Sequence, residues 1–340
     1  MKKKLVGVFG AVALLAINGA AIAQDQPVQL KLSHWVPPSH PLQPAFQAWA
    51  KSIADDSHGS ITITIYPAQQ LGKAFDHYDM ARDGIADITH VSPGYQPGRF
   101  PIFALGSVPF LVANAKGGSA ALDAWYRPYA ATEMKDVHFC LAHFHDPGTF
   151  HSNKKITVPE DVKGLKVRPA TGTIATFVTM LGGTNVQSSA PEARDVIARG
   201  VADAITFPWR SMILFGIDKV VKYHLDMAMY VTPFVLVMNN AKYDSMSPAQ
   251  KKVMDDHCTS EWAEKIASPW ADYEHSGREM IKAEPGHIFV EPTPEQIEEW
   301  RKAAEPLKTD WANDVKKAGG DPDKIFAEFE ASLKQHGAAY

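Results

Sequence analysis

Residues 165–207 read LKVRPATGTIATFVTMLGGTNVQSSAPEARDVIARGVADAITF. Leu165–Arg168 is a short apolar strand, and Ile174–Leu181 is a helix stopped by Gly182-Gly183. Thr184–Gln187 is a second strand. Ser189-Ala190-Pro191-Glu192 is an S-x-x-E capping box that opens another helix. That helix ends at Gly200, before the strand Val201–Phe207. Strand, helix, strand, helix, strand is the pattern of an α/β fold with a largely parallel sheet.

The same order occurs upstream. Val28–Trp35 is a strand followed by the Pro-rich turn Val36–Pro41, and Phe46, Trp49, Ala50 and Ile53 form the apolar stripe of a helix ending near Gly59. Ile61, Ile63 and Ile65 alternate with threonines as in a strand, Phe75–Arg82 is helical up to Gly84, and Ile85–Val91 is a strand. Gly84-Ile85-Ala86-Asp87 is echoed by Gly200-Val201-Ala202-Asp203. The echo suggests two lobes built on one plan, and a length of 340 residues agrees with two domains.

Downstream, Tyr230–Met238 is apolar enough for a buried strand, and Ser247-Pro248-Ala249-Gln250 caps a helical pattern that runs to about Ala283, with a kink expected near Pro269. A helix that long is expected to span both lobes. Ile288–Val290 is a short strand, and Glu295–Lys317 and Pro322–Gln335 are amphipathic helices. These segments make the chain cross between lobes more than once. Lobe I is expected over 27–150 plus 239–280, and lobe II over 151–238 plus 281–335.

The composition, 45% hydrophobic and 21% charged, is globular. Lys2–Lys4, the apolar run Leu5–Ile17 and Ala21-Ile22-Ala23 form the three regions of a secretory signal, cleaved after Ala23. Without its three lysines the balance is 31 basic against 38 acidic residues, a net charge of −7, which disfavours nucleic acid as a partner. Cys140 and Cys258 are too far apart for a C-x-x-C motif. An oxidising compartment permits a bridge, but the apolar run Val137–Phe144 favours Cys140 as a small buried hydrophobe.

The chain lacks HExxH, G-x-S-x-G, Walker A and a post-strand G-x-G-x-x-G. The most metal-like group is His143 and His145 with Asp146 and His151; it sets up a secreted metal-dependent hydrolase as the competing class of function. The blander alternative is one strand face ending near a cleft. Trp35 and Trp209 each follow the carboxyl end of a strand, where open α/β sheets bind ligands, so both are candidates to face one. Nothing suggests an exposed edge strand or groove for a peptide.

Pro159–Arg168, Leu181-Gly182-Gly183, Pro191-Glu192 and Gly200–Asp203 together resemble the central signature of TRAP-transporter substrate-binding proteins of the DctP type. Tyr66–Gly72 is similar to that family's P-x-x-Q-L-G segment and Val108–Leu111 to its LPFL segment, with Met238-Asn239 and Ser247-Pro248 matching in order. The resemblance implies a periplasmic two-lobed receptor, with no cofactor or catalysis. It would act as a monomer, close on an organic acid and hand it to the small and large subunits of a membrane permease. It also implies that Arg168, at the end of the G-L-K-x-R strand, grips the ligand carboxylate with its planar fork.

Departures from the sugar-acid branch point to the ligand. Trp35 stands where Asn can occur, Gly148 where a second Arg can occur, Phe207 in place of Asn, and Arg194 in place of Tyr. Rings replacing polar partners favour a flat body, so an aromatic monocarboxylate such as benzoate or hydroxybenzoate is expected. His145, Ser92 and Tyr95 are candidates for a ring hydroxyl, and Arg210 for a second anionic group. Arg210 therefore keeps C4-dicarboxylates and 2-oxo acids open.

Overall fold

The computed structural model describes residues 25–340, and the expected signal, residues 1–23, lies outside them. Among the described residues eleven strands form two sheets. They are β1 (Val28–Ser33), β2 (Ile61–Tyr66), β3 (Ile88–Val91), β4 (His138–Phe144), β5 (Thr149–Ser152) and β6 (Lys166–Arg168), followed by β7 (Thr184–Asn185), β8 (Ala204–Phe207), β9 (Tyr223–Leu225), β10 (Pro233–Met238) and β11 (Ile288–Val290). The helices are α1 (Leu42–Asp56), α2 (His77–Arg82), α3 (Ala115–Glu133), α4 (Gly172–Met180), α5 (Ala193–Ala198) and α6 (Trp209–Leu214), then α7 (Asn240–Asp244), α8 (Pro248–His257), α9 (Ser260–His275), α10 (Gly277–Ala283), α11 (Pro294–Lys317) and α12 (Pro322–Gln335).

The first sheet has the order β2-β1-β3-β10-β4 and the second β11-β9-β5-β8-β6-β7. Each places its first three local strands in parallel and then inserts one antiparallel strand: β10 in the first sheet, β5 in the second. The sheets are therefore mixed, and the reversed strand is in each case the one that arrives by a crossing connection. The expected lobe limits shift accordingly. Pro233–Met238 pairs with β3 and β4 in the first sheet, not in the second lobe expected for 151–238, and Thr149–Ser152 pairs with β8 and β9 in the second sheet. The closing helix α12 lies on α3, with the Trp125 indole donating to Ile325 O at 3.0 Å, so it too belongs with the first lobe.

The repeated tetrapeptide occupies equivalent corners. Gly84 and Gly200 end their helices at φ 71° and 66°, a left-handed conformation that favours glycine. In the next turn the Asp87 carboxylate accepts the amide of Lys31, and that of Asp203 accepts the amide of Lys166. Ile85 and Val201 are exposed in these turns, so the strands start three residues later than the apolar pattern suggests. The stripe on α1 is buried as its periodicity requires. The long helical pattern is cut into three pieces. It breaks at Cys258-Thr259, where Thr259 caps α9 by accepting the amide of Trp262, and again at Ser276, while Pro269 sits inside α9.

Cys140 and Cys258 are joined as a disulfide, not left as the buried thiol expected. The bridge ties β4 to the break between α8 and α9, and it closes a loop of 118 residues. Loops of this size restrict the unfolded chain by about 2–5 kcal/mol. Replacing both cysteines by alanine should lower the urea midpoint of the ligand-free protein by that equivalent. A midpoint equal to the native one would show that the bridge contributes nothing.

Candidate functional site

Because the parallel strands of both sheets run toward the gap between them, their carboxyl ends meet there. Trp35 follows β1, Ser92 and Tyr95 follow β3, His145 follows β4, Arg168 ends β6 and Phe207 ends β8. All six line one cavity, which encloses about 390 Å³ of atom-free space, partly open to solvent. Its lining includes the rings of Trp35, Tyr95, Phe207, Phe215, Tyr230, Phe234 and Trp270.

Arg168 is 1% exposed, and among the described residues no carboxylate lies within 4.0 Å of it. Its Nε and Nη2 donate to Ser188 O at 3.0 and 2.9 Å, and Nη2 also donates to the Tyr95 hydroxyl at 3.3 Å. Tyr95 is itself fixed, since its oxygen accepts the amide of Ala190 at 2.9 Å. These bonds use one edge of the guanidinium and leave Nη1 without a partner among the described residues. The Phe207 ring lies 5.8 Å from the guanidinium carbon. Tyr230 adds a hydroxyl beside the cation that lacks a partner of good hydrogen-bond geometry, and burial raises its pKa, so it stays a donor. A buried cation braced by neutral groups alone is costly unless an anion completes it.

Other candidates lie elsewhere. Trp209 is outside the cavity, stacked on Phe289 at 5.5 Å and edge-on to His151 at 4.9 Å. Arg210 points away, its Nη1 donating to Ser276 Oγ at 2.8 Å and its guanidinium lying 4.1 Å from the Tyr273 ring. Arg194 also lies outside the lining. Gly148 leaves no room for an arginine: a Cβ there would sit 2.6 Å from Phe207 O, and its amide pairs with Tyr230 O at 2.8 Å. His145 lines the cavity but has no spare nitrogen. Nδ1 donates to Asp146 O and Nε2 accepts the amide of Thr232, while burial pushes the pKa down to about 4.

The histidines proposed as metal ligands do not converge. His143 pairs with His90 Nε2 at 3.1 Å in the first lobe, whereas His151 in the second meets His224 at 2.8 Å and Phe207 O at 3.0 Å. Among the described residues no three His, Cys, Asp or Glu side chains are arranged to hold a metal. Sequence reading missed His40, Tyr230, Phe234 and Trp270. Trp270 arrives on α9, where its indole donates to the buried Glu274 carboxylate at 2.8 Å. That carboxylate also accepts the amides of Arg210 and Ser211 at the start of α6, linking the lobes behind the cavity.

The family model for bacterial extracellular solute-binding proteins of family 7, DctP, matches residues 32–314. The chain belongs to this family. A TRAP solute binding protein from Rhodoferax ferrireducens, in complex with copurified benzoate, superposes with a TM-score of 0.85 at 27% identity, covering 91% of this chain and 98% of that one. A marine-metagenome protein specific for aromatic acid ligands, with co-crystallized 3-hydroxybenzoate, gives 0.84 at 30% identity over 92% and 99%. One from Bordetella bronchiseptica with bound (R)- and (S)-mandelate gives 0.84 at 27% over 91% and 99%. A solute-binding protein of Chromohalobacter salexigens is 20% identical over 249 residues, 72% of this chain and 74% of that one. The two-lobed DctP fold thus accounts for the paired sheets and for the cavity at their facing ends.

Proposed function

We propose that the chain is the receptor of a TRAP transporter, and that it captures a small aromatic monocarboxylate by pairing the carboxylate with Arg168 and closing its lobes around the ring. The observation that carries this reading is the buried, acid-free guanidinium at one end of a ring-walled cavity. A planar fork suits a carboxylate, and stacked rings add about 0.5–1.5 kcal/mol per pair. Among the described lining residues no second permanent cation faces the cavity, because Arg210 is turned toward Ser276. That favours one carboxylate over two. The aromatic acids carried by the three structural neighbours support the same choice.

Closure supplies the differential affinity, since only the closed form brings Arg168 of one lobe and Trp35 of the other onto the same ligand. Delivery to small and large permease subunits, a cleaved signal over residues 1–23 and a periplasmic home complete the proposal. The disulfide suits an oxidising compartment, and among the described residues no helix is long and apolar enough to cross a membrane. A thermal-shift panel tests the ligand class. Benzoate, 3-hydroxybenzoate and mandelate should raise the melting temperature, a 100-fold excess over Kd adding about 2.7 kcal/mol. A response confined to succinate, pyruvate or galacturonate would overturn the aromatic assignment.

A further inference from the structure

The cavity holds donors that nothing among the described residues uses. His40 Nδ1 accepts the amide of Leu42 at 3.1 Å, which places the proton of the neutral ring on Nε2. That nitrogen has no partner among the described residues. Burial keeps the His40 pKa well below the usual imidazole value, so the ring is neutral, and its edge contact with Trp270, 4.7 Å between centroids, fixes its direction. The Trp35 indole N–H and the Ser92 hydroxyl are likewise unpartnered. All three side chains are buried and line the cavity. They stand on the first lobe, whereas Arg168 stands on the second. His145, the other imidazole of that wall, is already engaged on both nitrogens.

A buried donor without an acceptor is destabilising, and native proteins rarely leave three together. Two of these donors, His40 Nε2–H and Trp35 Nε1–H, cannot accept; Ser92 can do either. Resting on the aromatic-acid reading above, we propose that the first lobe reads a hydrogen-bond acceptor on the ligand ring, remote from the carboxylate, through His40 and Trp35. The preferred ligands are then aromatic acids bearing a ring hydroxyl or another neutral oxygen substituent, and plain benzoate is a weaker analogue. A distal group that only donates is rejected, because it meets donors.

Calorimetry on the native chain with benzoate, 3- and 4-hydroxybenzoate and 3-(aminomethyl)benzoate tests this without any substitution. The better hydroxybenzoate should bind at least about tenfold tighter than benzoate, and the aminomethyl acid more weakly than benzoate. His40→Asn keeps an acceptor for the Leu42 amide but deletes the outer N–H, and Trp35→Phe keeps a ring but deletes the indole N–H. In each the hydroxybenzoate-to-benzoate ratio should fall at least about fivefold. Hydroxybenzoates no tighter than benzoate, or a ratio that survives both substitutions, would overturn the proposal while leaving the aromatic-acid receptor standing. If no aromatic acid binds and another acid does, the reading of the site fails and this inference with it.

Discussion

Arg168→Met is expected to cost the protein about two to three orders of magnitude in affinity for its aromatic acid, with the fold retained. Removing one partner of a buried, hydrogen-bonded ion pair costs about 3–5 kcal/mol, and every 1.4 kcal/mol is tenfold in Kd. The fold is expected to survive because the guanidinium has no carboxylate to lose among the described residues, only Ser188 O and the Tyr95 hydroxyl. Methionine fills comparable space, and it removes a desolvated charge from the ligand-free state. Arg168→Lys should recover only part of the loss, since an ammonium cannot serve Ser188 O, Tyr95 and both carboxylate oxygens at once. Calorimetry with circular dichroism on the same samples decides. A folded Met variant that binds like the native protein removes Arg168 from the site.

A steep loss of stability on mild acidification is the second large effect. His34, His143, His145, His151 and His224 are held by burial at pKa values of about 4, 3, 4, 3 and 2, and burial holds His40 and His90 well below the usual value as well. Folded, these rings stay neutral; unfolded, each takes up a proton below pH 6.5. The stability they protect is therefore fully present above pH 6.5 and is lost as the pH falls toward 4. Each group carries up to about 1.4 kcal/mol per pH unit. Seven together approach the entire stability of a domain within one or two units. Asp123, Glu133, Asp146 and Glu274 act in the opposite sense, because burial raises their pKa and protonation relieves it. They are outnumbered, four carboxylates against seven imidazoles, so the loss prevails. Urea midpoints of the ligand-free protein should be level from pH 7 to 8 and fall sharply between 6.5 and 5; a midpoint that stays level down to pH 5 contradicts the account.

The parts of the fold that depend on neighbours in sequence were legible. Alternating isoleucines in β2, the stripe of α1 and the capping boxes at Ser189 and Ser247 each express a local rule, and each is present in the structure. The paired Gly-x-Ala-Asp corners were legible as well, because glycine answers a backbone requirement that few other residues meet. Partnership across the chain was not. Pro233–Met238 is apolar on both faces, so its pattern marks it as buried without saying in which sheet. Cys140 and Cys258 carry no spacing signal at all. Within the site, Trp35 and Trp209 share one local signature, the end of a strand, yet Trp35 lines the cavity and Trp209 is taken up by Phe289. His40, Tyr230 and Trp270 come from a turn, a crossing segment and a helix, and only tertiary structure brings them to Arg168.

The exchanged strands bear on how the molecule is made. The first sheet lacks its fourth member until Pro233–Met238 has been synthesised, by which point five of the six strands of the second sheet already exist. Neither half can mature as a contiguous piece, so a nascent chain must wait with β3 and β4 unjoined, exposing the apolar flanks that β10 will cover. Such long-range pairing slows folding and prolongs vulnerability to aggregation. Cutting the gene between the halves would yield two fragments that each hold the other's missing strand, and complementation between them, not independent folding, is what this topology permits.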